Sequence, residues 1–382
     1  MDDVLIVGAG PAGSVAATVL VRAGARVRIL DRATFPRDKL CGDTLNPGTL
    51  TLLGRLQLSA AVEHLGLRLD GMLVTGEGGV AIEGRYPNVL HGRSISRREL
   101  DCALLNEAVA AGADFETRVT VRQAIVAERG GARLVEGVMV GVGGALRPLH
   151  ARVTIAADGR RSTLAFGLGL AHHPTRPRRW AIGAYLEQAA GMSTSGEMHI
   201  RPGRYIGVAP VPGNVANVCL VRPSGVGDGD LRDPGRALLR ELAADPLLRD
   251  RFASARLLRP PIVLGPLAVD VTGGAIDGLI LAGDAAGFID PMTGDGLRFA
   301  VRGGELAALA ALRALEHGWA GIHSRLAVER RQEFAGKWRF NRALRALVAS
   351  PLAVQAAARG ARLAPGVVRA LITRAGDCDI AA

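Results

Sequence analysis

A glycine-rich turn between two apolar runs lies within the first thirty-one residues. Residues 4–7 (VLIV) are wholly apolar, as is typical of a strand buried on both faces. Residues 8–13 (GAGPAG) follow, and a helical pattern then leads to Gly24. A second apolar run, residues 27–30, ends at Asp31. This order of strand, glycine turn, helix, strand and acid is typical of a dinucleotide-binding unit, and it predicts an α/β fold with a buried parallel sheet.

The glycines, the start of the helix and the final aspartate of this unit each have a distinct physical role. Gly8 permits the tight turn, Gly10 allows the backbone to approach a pyrophosphate, and Gly13 allows the helix to lie close to the sheet. The free N–H groups at the helix start attract phosphate. Asp31, at the end of the second strand, is placed to accept hydrogen bonds from a ribose diol. The sequence therefore predicts a bound dinucleotide.

Length, cysteine spacing and charge narrow the class of protein. The 382 residues suit two domains, and the four dispersed cysteines favour neither a zinc site nor a disulfide framework, so we expect a reducing cytoplasm. No signal peptide and no membrane-spanning run are expected. The net charge of +11 is concentrated between Ser324 and Arg374, where eleven basic residues accompany two acids. This is a basic C-terminal region rather than a basic protein, and no nucleic-acid partner is expected.

The later chain alternates between two kinds of pattern. Short strand runs separated by glycine and proline between residues 178 and 266 predict a mainly antiparallel sheet, and helices are predicted over 296–315, 322–348 and 352–372. We expect a discontinuous nucleotide-binding domain (1–66, 92–172 and 267–320), a substrate domain (67–91 and 173–266) and a basic helical region (321–382).

Two further motifs follow predicted buried strands. The first is the Asp158-Gly159 turn after residues 152–157, and the second is Gly283-Asp284 after residues 279–282, with the loop 290–296 (DPMTGDG) behind it. With these three motifs in this order, the chain resembles the FAD-dependent superfamily that includes para-hydroxybenzoate hydroxylase and geranylgeranyl reductase. The resemblance implies FAD as cofactor and a Rossmann-like FAD-binding domain with an inserted antiparallel substrate domain and C-terminal helices.

The resemblance also implies roles for individual residues. Asp284 would bind the ribitol, Arg97 would lie at the diphosphate, and Asp158 would stabilise the turn beside the cofactor. Pro291 and residues 294–296 would lie at the pyrimidine end of the flavin, where the positive end of the following helix stabilises negative charge. The expected cofactor-binding residues are Gly8, Gly10, Ala12, Gly13, Asp31, Arg32, Arg97, Asp158, Gly283, Asp284, Pro291, Gly294, Asp295 and Gly296. No metal site is expected.

Two segments bear on the reaction. Residues 39–43 (KLCGD) resemble the Cys-Gly element of the geranylgeranyl-reductase branch and of related halogenases, so Cys41 either tunes the flavin or is a small core residue, and Lys39 is expected to be a solvated loop lysine. Residues 205–210 (YIGVAP) keep the tyrosine and proline of the Tyr-x-Trp-x-Phe-Pro segment of that branch but lack its two large aromatics. This departure predicts a wider pocket. Tyr205 is either a substrate contact or a core residue, and Cys41, Tyr205 and Pro291 are the candidate catalytic residues.

These observations predict an FAD-dependent oxidoreductase, geranylgeranyl-reductase-like, that reduces a double bond in an apolar, isoprenoid or lipid-like substrate. NAD(P)H is the expected donor and would visit transiently, because no second glycine fingerprint follows a strand. The alternative is a flavin-dependent monooxygenase that hydroxylates an aromatic or polyketide-like substrate with NAD(P)H and O2. A non-catalytic flavin protein is disfavoured, since it would not need the loop 291–296.

The basic C-terminal region has two interpretations. Its cations and aromatics, Lys337, Trp338, Arg339, Phe340, Arg342 and Arg345, indicate either an amphipathic helix packed on the core or peripheral contact with an anionic bilayer. The protein is accordingly expected to be cytoplasmic and, under the second interpretation, peripheral to a membrane, with its oligomeric state open.

Overall fold

The structure of the chain is a computed structural model that describes residues 2–39, 43–142, 145–175, 178–223, 228–272, 274–288, 292 and 294–378. The strands are β1 Asp2–Val7, β2 Val27–Asp31, β3 Thr44–Leu45, β4 Leu67–Leu69, β5 Gly71–Thr75, β6 Ala81–Arg85, β7 Gly92–Ser94, β8 Asp114–Thr117, β9 Thr120–Arg129, β10 Ala132–Val142, β11 Ala145–Ala156, β12 Ala171–His172, β13 Arg179–Glu187, β14 Ser195–Arg201, β15 Arg204–Val211, β16 Val215–Pro223, β17 Arg256–Leu257, β18 Ile262–Leu264, β19 Asp270–Val271 and β20 Leu279–Leu281. The helices are α1 Pro11–Arg22, α2 Pro47–Arg55, α3 Ala60–Glu63, α4 Arg97–Ala110, α5 Thr163–Gly167, α6 Pro234–Ala244, α7 Gly296–His317, α8 Ile322–Ala349, α9 Pro351–Leu363 and α10 Pro365–Ala375.

The first sheet is parallel at its centre. Strands β8, β2, β1 and β11 lie side by side, and β20 pairs with the second half of β11, all in parallel register. The first half of β11 instead pairs antiparallel with β10, which pairs with β9. The predicted runs at residues 4–7, 27–30 and 279–282 thus lie in one parallel sheet, with β11 between β1 and β20, which confirms the predicted α/β fold. Their carboxyl ends share one edge, and ligands bind at this edge in open α/β sheets.

A second sheet carries the segments that the sequence predicts as antiparallel. Its order is β17-β13-β16-β15-β14-β5-β6, with β18 also paired to β13. The pairs among β13, β16, β15 and β14 are antiparallel, whereas β14 and β5 are parallel. One face of this sheet packs on α6 through Ile206, Val208 and Leu238. On the opposite face, Tyr205 packs against Met292 and against Val348 of α8.

Close packing of α1 on α7 holds the first sheet and the C-terminal helices together. A Cβ placed on Gly304 of α7 would lie 2.3 Å from the carbonyl oxygen of Ala12 in α1, so only glycine allows this approach. The apolar side chains of β1, β2 and β11 bury themselves beneath these two helices. This packing fixes α1 and α7 relative to the sheet. The first turn of α1 directly follows the carboxyl end of β1.

The C-terminal region differs from the prediction in one respect. The single helix predicted over 352–372 is two helices, α9 and α10, that meet at Ala364. Pro365 is the cause: it has no N–H to donate, and it forces Ala364 out of the helical region, with φ −135° and ψ 64°. Among the residues that the structure describes, no helix is both long and apolar enough to cross a membrane.

Candidate active site

Four predicted motifs meet at the carboxyl edge of the parallel strands. Residues 8–13 follow β1, Asp31 ends β2, Asp158-Gly159 follow β11, and Gly283-Asp284 follow β20. Contacts join them: a Cβ on Gly8 would lie 2.4 Å from the carbonyl oxygen of Ala157, and one on Gly283 would lie 2.9 Å from Cβ of Ala12. The chain therefore brings segments 270 residues apart into one site.

The three glycines of the first turn have different surroundings. Gly8 has φ +103°, which disfavours any side chain, and a Cβ on Gly13 would lie 1.9 Å from the carbonyl oxygen of Gly8. A Cβ on Gly10 meets only Nη2 of Arg37, at 3.5 Å. Gly8 and Gly13 are thus required by the protein's own packing, whereas the space over Gly10 is left for a ligand.

Asp31 fixes the shape of this turn. Its Oδ2 accepts a hydrogen bond from the backbone N–H of Ala9 at 2.9 Å, and its Oδ1 accepts one from the N–H of Ala33 at 2.9 Å. The buried carboxylate thereby ties the end of β2 to the loop after β1. Each oxygen retains a lone pair, so a ribose hydroxyl can bind beside these two backbone donors. Arg32, the next residue, is exposed.

The Asp158-Gly159 turn has unused hydrogen-bonding capacity. Oδ2 of Asp158 accepts from the backbone N–H of Thr163 at 2.8 Å, whereas Oδ1 is buried and has no donor among the described residues. Burial raises the pKa of this carboxyl above its usual range. An unpaired buried oxygen is costly, so Oδ1 is an acceptor available to a bound ligand.

Lys39 lies among these motifs and is not the solvated loop lysine that the sequence predicts. Its side chain is half-buried, and its Nζ would lie 3.9 Å from a Cβ on Gly159. Burial, followed by the nearby Arg97 guanidinium, lowers the pKa of Lys39 to about 8, while the Asp284 and Asp101 carboxylates raise it. The ammonium therefore stands between the Asp158 and Asp284 turns.

Two arginines share one buried carboxylate beside the glycine turn. Nε and Nη2 of Arg97 donate to Asp101 at 2.6 and 2.8 Å, and Nη1 of Arg37 lies 3.1 Å from the same carboxylate. Nη2 of Arg37 is also the atom that faces Gly10. Arg97 was expected at the diphosphate, whereas Arg37 was missed. The only signal for Arg37 in the sequence is that it is a basic residue in the long connection after β2.

The start of α7 is held by the C-terminal region. Asp295, directly before α7, is buried and lies 3.2 Å from Nζ of Lys337 in α8. Lys337, one of the cations named in the basic C-terminal region, is therefore buried and is not part of an exposed basic surface. Gly294 has φ +70°, and a Cβ there would lie 3.5 Å from Oγ1 of Thr44. These contacts fix the position of the first turn of α7, and with it the backbone N–H groups that this turn leaves free.

The second sheet presents a face of small residues between two tyrosines. Three cross-strand rows follow from the register, and their members are Ala181, Val221, Tyr205 and Ile200 in the first, Gly183, Cys219, Gly207 and Met198 in the second, and Tyr185, Asn217 and Ala209 in the third. Side chains two residues apart on a strand share a face. Gly207 and Ala209, which stand where the Tyr-x-Trp-x-Phe-Pro segment has its two large aromatics, therefore lie on the same face as Tyr205. A Cβ on Gly207 would have no neighbour closer than 3.9 Å.

Tyr205 is 2% exposed and packs among Val221, Met292 and Val348. Met292 belongs to the loop before α7, so Tyr205 joins the second sheet to that loop. Cys41 and Pro291, the other candidate catalytic residues, lie outside the described residues.

The third row ends in a polar cluster that the sequence analysis did not predict. Oδ2 of Asp43 accepts hydrogen bonds from the Tyr185 hydroxyl at 2.6 Å and from Nδ2 of Asn217, and Oδ1 accepts from the backbone N–H of Arg97 at 3.2 Å. Burial raises the pKa of Asp43 to about 6 despite these donors. The motif at residues 39–43 pointed to this segment, but no local pattern pointed to Tyr185 or Asn217.

The residues present fit FAD. The open approach over Gly10, the Arg37 and Arg97 guanidinium groups and the start of α1 suit a diphosphate, and the unpaired Oδ1 of Asp158 offers an acceptor along the site. The start of α7 offers N–H donors at the far end. Among the described residues, no cluster of His, Cys, Asp or Glu side chains could hold a metal ion.

Comparisons with known proteins agree with this site. The FAD-binding domain family matches residues 1–222. The menaquinone reductase of Mycobacterium tuberculosis is 32% identical over 324 residues, which cover 80% of this chain and 75% of that protein. Digeranylgeranylglycerophospholipid reductase 1 of Methanopyrus kandleri is 32% identical over 333 residues, which cover 82% of this chain and 81% of that protein.

A solved structure extends the likeness to the fold. A geranylgeranyl bacteriochlorophyll reductase-like protein from Thermoplasma acidophilum has a TM-score of 0.79 at 22% identity, and the match covers 92% of this chain and 89% of that chain. The FAD-binding family accounts for more than half of the sequence, and the relatives cover four fifths of it. This protein is therefore a member of the FAD-binding domain family, an FAD-dependent oxidoreductase of the geranylgeranyl-reductase-like superfamily.

Proposed function

We propose that this enzyme reduces a carbon–carbon double bond in a prenylated, largely apolar substrate whose head group is wider than a bare prenyl chain. The observation that carries the proposal is the row Gly183, Cys219, Gly207 and Met198, which forms a floor of mostly small side chains between Tyr205 and Tyr185. The names of the two relatives, a menaquinone reductase and a digeranylgeranylglycerophospholipid reductase, support substrates with long apolar chains.

The chain's own residues would bind and orient both cofactor and substrate. FAD supplies a hydride equivalent when it is bound. Arg37, Arg97 and the start of α1 hold its diphosphate, and Asp31 and Asp284 hold its sugar hydroxyls. The start of α7 would stabilise negative charge at the pyrimidine end. A reduced nicotinamide is the proposed electron donor and visits transiently.

An anaerobic assay tests the proposal. The yellow protein is reduced with NADPH or NADH, then mixed without oxygen with menaquinone or digeranylgeranylglycerophospholipid. We expect the flavin absorbance to return and, after any quinol has been reoxidised in air, the product to retain two added hydrogen atoms in its prenyl chain. The alternative, hydroxylation, predicts no anaerobic turnover, together with a product that gains one oxygen atom under air. That second outcome would replace the proposed reaction.

We further propose that α9 and α10 contact an anionic bilayer, from which the substrate is drawn. Their outer side exposes large apolar residues, with Leu352 78%, Leu363 88% and Val367 59% exposed. Exposed arginines lie between them, and no Asp or Glu occurs between Glu333 and Asp377. Apolar side chains flanked by cations are the features of helices that lie in a membrane interface. Under this proposal the protein is cytoplasmic and binds the membrane peripherally.

Vesicle co-sedimentation tests this contact. Wild-type protein should sediment with vesicles rich in phosphatidylglycerol at low salt and much less with neutral vesicles or at high salt. Leu363→Asp with Val367→Asp should abolish sedimentation. Val89→Asp is the matched control, because Val89 is 83% exposed but lies outside these helices. Equal sedimentation of all three proteins would show that α9 and α10 are not the contact.

A further inference from the structure

Asp43, which is buried, and Tyr185, which is partly buried, form an acid–phenol pair at the edge of the small-residue face. The Tyr185 hydroxyl donates to Oδ2 of Asp43 at 2.6 Å, and Asn217 donates to the same oxygen. Asp43 comes from the connection after β2, whereas Tyr185 and Asn217 come from neighbouring strands of the second sheet. The pair thus joins the cofactor-binding half of the molecule to the substrate half.

The position of Tyr185 on its strand places it beside the small-residue floor. Tyr185 and Gly183 are two residues apart on β13, so their side positions share a face and lie about 7 Å apart along the strand. The Tyr185 side chain is only partly buried, whereas Asp43 is 3% exposed. The phenol is therefore the member of the pair that a molecule on this floor can reach, and Asp43 lies behind it.

We propose that Tyr185 and Asp43 deliver the proton that completes reduction of the substrate double bond, an inference that rests on the proposed function. Bound FAD, once reduced by the nicotinamide, would supply the hydride equivalent that one carbon accepts as the π bond of the substrate breaks. The other carbon takes the proton of the Tyr185 hydroxyl. The carboxylic acid of Asp43 then returns a proton to the Tyr185 oxygen and is itself reprotonated from water. Two electrons and two hydrogens are thereby accounted for.

The charges around the pair suit this task. Burial raises the pKa of Asp43 to about 6, and burial with the neighbouring carboxylate raises the pKa of Tyr185 above its usual range. The groups that face the pair are Arg97, which is paired with Asp101, and Arg259, whose guanidinium lies 5.9 Å from the Tyr185 ring centre and is paired with Asp38. Each cation is balanced by an acid, so near neutral pH Asp43 can both hold and release a proton.

Single-turnover kinetics test the proposal. Reduced wild-type enzyme is mixed anaerobically with digeranylgeranylglycerophospholipid, which has no quinone ring to oxidise the flavin directly, and flavin reoxidation is followed between pH 5 and 9. The rate should fall as pH rises through about 6. Tyr185→Phe and Asp43→Asn should slow this step by about 10²–10⁴-fold, remove the pH dependence and leave both FAD content and flavin reduction unchanged. Asp70→Asn, which changes a surface acid of the second sheet domain, should behave as wild type.

Infrared difference spectroscopy separates this inference from the proposed function, because it needs no substrate. The band of a protonated carboxyl should disappear as pH rises through about 6, should be absent in Asp43→Asn, and should shift to a higher midpoint in Tyr185→Phe, since loss of the phenol donor destabilises the carboxylate. If wild type reduces neither substrate, the proposed function fails, and this titration alone decides the state of the pair. A wild-type band that does not titrate, or rapid reoxidation in Tyr185→Phe, would overturn proton delivery by these residues.

Discussion

Oδ1 of Asp377 lies 3.0 Å from Nζ of Lys337, so the carboxyl end of the described chain is fixed to the middle of α8. Oδ2 of Asp377 lies 3.2 Å from Nε of Arg298 and also accepts from Nδ2 of Asn46 at 3.2 Å. Lys337 in turn contacts Asp295. The last turn of the chain is thus part of the same buried network that positions the start of α7.

Asp377→Asn should destabilise the protein strongly. It leaves Lys337 and Arg298 buried with one carboxylate fewer, and breaking a buried ion pair costs about 3–5 kcal/mol. Denaturant unfolding measures the change in the free energy of unfolding. Asp250→Asn is the control: Asp250 is 90% exposed beside Arg249, so its removal should cost less than about 1 kcal/mol. Equal effects of the two substitutions would contradict a structural role for Asp377.

Gly10→Val and Gly13→Ala should fail in different ways. A Cβ at Gly10 meets only the guanidinium end of the Arg37 side chain, so this variant should fold and yet bind little FAD. The methyl group at Gly13 would lie 1.9 Å from a backbone oxygen, so that variant should not reach the native fold. Circular dichroism melting and flavin absorbance distinguish the two. Full yellow colour in Gly10→Val would place the cofactor elsewhere.

Asp31→Ala should weaken FAD binding without unfolding the chain. The ribose hydroxyl that we assign to Asp31 would lose its charged acceptor, and a hydrogen bond to a charged group contributes about 1.5–3 kcal/mol. We therefore expect FAD to dissociate about 10–100-fold more readily, as measured by fluorescence of released flavin during dialysis. Asp3→Ala serves as the control, because Asp3 lies at the other end of β1 and holds Arg26. Unchanged retention in Asp31→Ala would contradict its assignment to the site.

The sequence predicts those parts of the site that depend on residues close together in the chain. The turn at residues 8–13 and the strand ends at Asp158 and Asp284 are dictated by short patterns, and the sheet order then brings them together. Asp43 and Asn217 are 174 residues apart, and their contact depends on how the second sheet packs on the first. No periodicity encodes such a pair. The helix break at Pro365 differs, because proline is a local signal from which the break could have been predicted.

Stability should depend on pH through Asp43. The folded-state pKa of about 6 exceeds the ordinary value of 3.8, so the folded protein binds more protons than the unfolded chain between these pH values. The free energy of unfolding should therefore decrease as pH rises from about 4 to about 6, by an amount of the order of 2–3 kcal/mol, and this contribution should stay constant above pH 6. Urea unfolding of wild type and Asp43→Asn at pH 4.5, 5.5 and 7 measures it. The difference between the two proteins should change with pH; a constant difference would show that Asp43 titrates normally.

Gly207→Trp should narrow the range of substrates. Gly207 lies at the centre of the small-residue floor, and a Cβ there has no neighbour closer than 3.9 Å, so a side chain can start at this position without meeting the backbone. The indole would occupy the space that we assign to a wide head group, and overpacking typically costs about 1–3 kcal/mol. Reduction of menaquinone, with its fused rings, should therefore slow about 10–100-fold, while digeranylgeranylglycerophospholipid is affected less. Gly207→Ala is the matched control and should change neither rate by more than about threefold. If Gly207→Trp keeps its FAD and still reduces both substrates at the wild-type rate, the head group does not lie over Gly207, and the small-residue floor does not set the width of the substrate.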